Sequence, residues 1–109
     1  MAYDEQLSLR VRQVMATIPG VSERKMFGGI AFMVNGNMCC GVVNRDLMVR
    51  VGAEDYAAAL QQPHARKMDF TGKPLRGFVY VSEKGIVKDT DLNRWISRAC
   101  QFVTTLSKK

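Results

Sequence analysis

Three cysteines and a single histidine are the side chains in this chain that could hold a soft metal or attack an electrophile, and their spacing speaks against both. Cys39 and Cys40 are adjacent, and adjacent side chains on a strand point to opposite faces. So placed, they cannot share a metal ion or join in a relaxed disulfide. Cys100 falls far along the chain, near a run of helical apolar spacing. Each cysteine reads as a small buried hydrophobe; a nucleophilic thiol at Cys39 or Cys40 would need a nearby positive charge and partial exposure. His64 follows Pro63 in a polar stretch and reads as an exposed loop residue, with no usual zinc-ligand spacing to the cysteines. Gly28-Gly29 lacks the spacings that cradle phosphate and precedes a strand rather than a helix, so it reads as structural. Gly72-Lys73-Pro74 reads as a turn, because proline has no N–H to offer a phosphate. Glu54-Asp55, Asp89 and Asp91 stand at helix starts, where carboxylates complement the dipole. The expectation is therefore no catalytic residue, no metal and no cofactor: a protein that is not an enzyme.

Binding chemistry is the other reading. The chain carries 16 Lys and Arg against 10 Asp and Glu, a net charge of +6. That balance suits an acidic partner, nucleic acid included, although a solvated basic surface is the plainer reading. The densest stretch supplies Arg66, Lys67, Lys73, Arg76, Lys84 and Lys88 as candidate polyanion contacts. Phe78 and Tyr80 lie among them, but they share a strand face and read as core before they read as base-stacking residues. Seven methionines could build an adaptable surface, and Met26, Met33, Met38 and Met48 cluster in one region; core filling is the plainer role.

A chain of 109 residues is one domain, residues 1–109, large enough to fold without staples. The apolar fraction of 47% is that of an ordinary globular protein. The polar opening and the lack of a span-length apolar run predict a cytoplasmic protein with reduced thiols and no membrane contact.

The elements that must position these residues follow from periodicity. Leu7, Val11, Val14, Met15 and Ile18 predict a helix over 5–17, capped by Asp4 and stopped by Pro19-Gly20. A meander of three strands follows, over 27–34, 38–43 and 47–51. Gly28-Gly29 allows a bulge or a close backbone approach in the first. Asn35-Gly36 suits a type I′ turn, which needs positive φ at both positions. Leu47, Val49 and Val51 share one face of the third strand, and Met48 and Arg50 the other. A short helix over 53–61 ends before Pro63. Strands over 66–70 and 77–81 precede a last helix over 91–106, capped by Asp89 or Thr90, with Leu92, Trp95, Ile96, Ala99, Phe102, Val103 and Leu106 as its core stripe. The order α-β-β-β-α-β-β-α predicts an α+β, two-layer α/β sandwich with a mainly antiparallel sheet. The first strand is apolar on both faces, so either a helix or another protein must cover the second. Met26, Phe27, Gly28, Gly29, Ala31 and Met33 are the candidate interaction residues.

Those same residues carry a resemblance. Arg24-Lys25-Met26-Phe27-Gly28-Gly29-Ile30, running into Val34-Asn35-Gly36-Asn37-Met38, resembles the signature of the TfoX/Sxy N-terminal domain family. Asn44-Arg45-Asp46-Leu47-Met48-Val49-Arg50, Phe78-Val79-Tyr80-Val81 and Asp91-Leu92-Asn93-Arg94-Trp95-Ile96 resemble its later turn, strand and helix, so the likeness spans about residues 21–102. It implies the same two-layer domain, here as a stand-alone bacterial unit without the C-terminal helical domain of the best-known members. Those are regulators of natural competence that act with the cyclic-AMP receptor protein at promoters. The family offers no catalytic residues. The expected function is a non-enzymatic interaction domain, an accessory in transcription regulation. Its expected partner is a protein, with a transcription regulator as the candidate and a homodimer as a further arrangement. The alternative is direct nucleic-acid binding through residues 66–88.

Overall fold

Asp4 starts the first helix. Its Oδ1 accepts the N–H groups of Gln6 and Leu7 at 2.9 and 3.1 Å, which satisfies two orphan donors of α1, Glu5–Met15. A computed structural model describes residues 4–26, 28–68 and 76–106 of the chain. Within them α1 buries Leu7, Val11 and Met15, the expected stripe, and leaves Val14 and Ile18 half-buried at its edge.

The meander has one strand more than the sequence pattern showed. β1, Val21–Met26, pairs antiparallel with β2, Gly29–Val34, in the register Val21 to Val34. β1 is an edge strand whose Ser22, Glu23, Arg24 and Lys25 are all exposed, so it carries no apolar alternation to read. Arg12 of α1 grips Glu23 with two bonds, Nε to Oε2 at 2.7 Å and Nη2 to Oε1 at 2.8 Å, and this bonding holds the Glu23 carboxyl below its ordinary pKa. Asn35 and Gly36 both take positive φ, 53° and 83°, in the tight turn to β3, Asn37–Val43. Asn44 at φ 55° turns β3 into β4, Asp46–Arg50. Gly52, at φ 85°, ends this run, and α2 is confined to Tyr56–Leu60. β5, Ala65–Lys67, and β6, Phe78–Val81, complete an antiparallel sheet of order β1-β2-β3-β4-β6-β5. The expected extension of β5 to Phe70 and the Gly72-Lys73-Pro74 turn lie outside the described residues.

α3 runs Asp89–Val103, so Asp89, one of the two expected caps, is its first residue. Lys88 holds the N-cap position without a side-chain bond, and Asp89 and Asp91 sit in the first turn, where they face the positive end of the dipole. Asp89 instead accepts a bond from Arg10 of α1 at 3.1 Å.

Both predicted layers are present. Leu7, Val11 and Met15 of α1, Ala59 of α2, and Leu92, Trp95, Ile96, Ala99 and Val103 of α3 pack on one face of the sheet. That face presents Ile30, Phe32, Val34, Val42, Leu47, Val49, Val51, Val79 and Val81. Phe102 is half-buried against the same core, and Leu106 is half-buried beyond the end of α3. Each large apolar side chain so buried contributes about 1.5–3 kcal/mol. Among the described residues α1, α2 and α3 therefore lie on one side, and the architecture is α+β.

Candidate interaction face

Strand alternation decides what reaches the sheet face that the helices leave. β2 supplies Ala31 and Met33, β3 Met38 and Val43, β4 Met48, and β6 Phe78 and Tyr80. Met68, just after β5, turns onto the same face and is fully buried there. Ala31, Met48, Met68 and Tyr80 form the buried floor, while Met33, Met38, Val43 and Phe78 are half-buried around it. The result is an apolar patch with four thioethers, soft enough to repack against varied shapes.

Arginines rim this patch. Arg24 of β1 pairs in register with Ala31, so its exposed side chain projects to the same face. Arg66 of β5 stacks over the Tyr80 ring at 4.9 Å and makes an ion pair with Asp46 at 2.5 Å. Arg50 lies against the rings of Phe78 and Phe102, at 5.4 and 5.5 Å, and donates to the Met38 carbonyl at 3.3 Å. Arg50 and Arg66 thus lay flat, weakly hydrated cations beside apolar surface.

Of the candidate interaction residues, Ala31 and Met33 stand on this face. The Met26 side chain and Phe27 lie outside the described residues. Gly28 sits in the β1–β2 turn at φ 72°. Gly29 works through backbone proximity: a Cβ there would run into the Val42 carbonyl oxygen.

The candidate polyanion residues are spread through the molecule. Lys67, Arg76, Lys84 and Lys88 are exposed. Arg66 belongs to the second face, whereas Lys84 lines clefts of the helix layer beside Arg10 and Glu83, and Lys88 precedes α3. Lys73 lies outside the described residues.

The cysteines depart from the alternation argument. Both Cys39 and Cys40 enter the helix-side core, fully buried. The cause is a β-bulge: Phe32 pairs with Cys40 and Met33 with Met38, so Cys39 is the extra residue and its neighbour's side chain does not alternate away. Cys39 Sγ comes to 3.7 Å from Cys100 Sγ of α3, and Cys40 Sγ to 4.0 Å from Met15 Sδ of α1. The bond to Cys100 pulls the Cys39 pKa down, but hydrogen bonding to Cys40, burial and the charge of Cys40 outweigh it and push the thiol up. Cys100 is pushed up by its bond to Cys39 and by burial. Both thiols therefore stay protonated near neutrality, unlike an activated nucleophile. Among the described residues no cluster of three or more His, Cys, Asp or Glu side chains is placed to hold a metal.

A groove of about 1060 Å³ runs along α3, lined by Val51, Asp55, Arg94, Arg98, Gln101 and Phe102 among others. Arg98 Nε meets Asp55 Oδ2 at 2.8 Å, and its guanidinium stacks over Trp95 at 5.2 Å. The sequence signal was there in Arg94 and Arg98, one turn apart on the polar side of a strong apolar stripe. His64, at φ 67°, is exposed as expected and borders a neighbouring cleft with Lys84 and Trp95. No helix among the described residues is long and apolar enough to cross a membrane.

No curated protein matches this chain. The Met-rich sheet face, the glycine-broken β1–β2 turn and the tryptophan-bearing last helix all fall within residues 13–103, which match the model of the TfoX N-terminal domain, and the chain belongs to that family.

Proposed function

We propose that this domain is a non-enzymatic, protein-binding accessory of transcription regulation, and that the sheet face opposite the helices is its docking surface. One observation carries the reading: Met33, Met38, Val43 and Phe78 stay half-buried on a face whose floor is already closed. Burying them further needs a second surface, and adjoining apolar groups left partly open to solvent are the usual mark of one. The rim selects the partner's chemistry. Arg24 is an exposed cation at the margin, and the net charge is +6, so the partner presents an apolar patch with carboxylates around it.

The partner we propose is a transcription regulator, in keeping with membership of the family. The test mixes the purified domain with a purified bacterial cyclic-AMP receptor protein and follows complex formation by analytical ultracentrifugation, with wild type and Met33→Glu side by side. Complex formation by wild type and its loss in Met33→Glu, with an unchanged circular-dichroism melt, supports the reading. An equally tight complex with the variant removes this face from it.

Direct binding of nucleic acid is the second reading, favoured by the exposure of Lys67, Arg76, Lys84 and Lys88. Fluorescence anisotropy with a mixed-sequence DNA duplex across a salt series separates the two, since phosphate contacts give affinity that falls steeply with salt.

A further inference from the structure

Two thiols from distant parts of the chain meet inside the core. Cys39 sits at the bulge of β3 and Cys100 on α3, with their sulfurs 3.7 Å apart. Both are free thiols; Cys39 is fully buried and Cys100 partly exposed. A disulfide needs about 2.05 Å between sulfurs, so the gap to close is about 1.7 Å. The third thiol is a poor competitor. Cys40 Sγ rests on Met15 Sδ, and a disulfide between adjacent residues is strained.

We propose that Cys39 and Cys100 are an oxidisable dithiol, which a hydroperoxide converts to a disulfide fastening α3 to β3. Cys100, the more accessible thiol, reacts first. Its thiol gives up its proton as the sulfur attacks one peroxide oxygen; the S–O bond forms, the O–O bond breaks, and the departing hydroxide takes that proton, leaving a sulfenic acid and one water. The Cys39 sulfur then attacks the sulfenic sulfur; the S–S bond forms, the S–O bond breaks, and the oxygen leaves as a second water with the Cys39 proton. Two thiols supply two electrons, and one hydrogen peroxide becomes two waters. Because both thiols are held protonated, the reaction is slow and answers sustained oxidant rather than turning it over.

The inference is independent of the docking face, since the pair lies in the helix-side core. The test exposes the full chain to hydrogen peroxide, removes the oxidant, and counts thiols with Ellman's reagent in denaturant. The expected result is loss of two of the three thiols, a mass lower by about 2 Da in the monomer, and recovery with dithiothreitol. Trypsin leaves Cys39 and Cys40 on one peptide, so variants assign the link. Cys40→Ser keeps the cross-link to the Cys100 peptide, whereas Cys39→Ser and Cys100→Ser lose it. Survival of all three thiols, a cross-link that persists in Cys39→Ser, or stable addition of oxygen at Cys100 without a cross-link each overturns the proposal. A Cys40→Ser protein that melts like wild type and still forms the link separates pairing from misfolding.

Discussion

A methyl group added at Gly29 has nowhere to go. The position opens β2 beside β3, and a Cβ would meet the Val42 carbonyl oxygen and the backbone of Val43. Backbone cannot swing aside as a long side chain can, so the strands would have to part. Gly29→Ala is expected to cost about 1–3 kcal/mol in urea unfolding, the range for forcing extra volume into a packed site. An unchanged midpoint would mean that the strands part without penalty. In the sequence, Gly28-Gly29 allowed either a bulge or a close backbone approach here. It did not show the fate of Cys39 and Cys40. Strict alternation sends neighbours to opposite faces, and only the pairing partner reveals that one residue is extra. A bulge is a property of two strands together, so no window on β3 alone contains it.

At the scale of elements, the stripe of α3 sets how firmly the helix layer is held. Ile96 of α3 is 1% exposed in the helix-side core, while Leu9 of α1 is 51% exposed. Ile96→Ala removes packed methylenes and leaves a void, so chemical denaturation should show a loss of about 2–5 kcal/mol. Leu9→Ala should stay within about 0.5 kcal/mol, as surface changes do. Equal effects would contradict the layer assignment. The apolar period of α1 and α3 was legible because one face is buried along its length. β1 was not, because an edge strand with exposed Ser22, Glu23, Arg24 and Lys25 owes its place to backbone pairing with β2 rather than to a buried face. The start of α3 was misplaced for a related reason. Asp89 has the right chemistry to cap, but it spends its carboxylate on Arg10 of another helix.

The whole molecule decides what its charge can do. A sequence gives the sum, +6, and the order of the basic residues, but not which layer each occupies. Here the candidate polyanion residues are interleaved with carboxylates. Arg66 pairs with Asp46, Lys84 shares its cleft with Glu83 and Asp4, and Lys88 adjoins Asp89, which is held by Arg10. Each carboxylate repels the phosphate that its neighbour would attract, and Arg66 stands on the sheet face opposite the helix layer that holds Lys84. A duplex lying on either layer then meets few of them at once. Each phosphate neutralised contributes about 0.9 to the slope of log affinity against log salt. The expected slope magnitude is therefore below about 3, with weak binding even at low salt. Charge reversal at Lys84 and Lys88 should lower it by no more than about 2. A slope near 5 would mean that the basic residues act as one continuous surface, and would make nucleic acid rather than protein the partner of this domain.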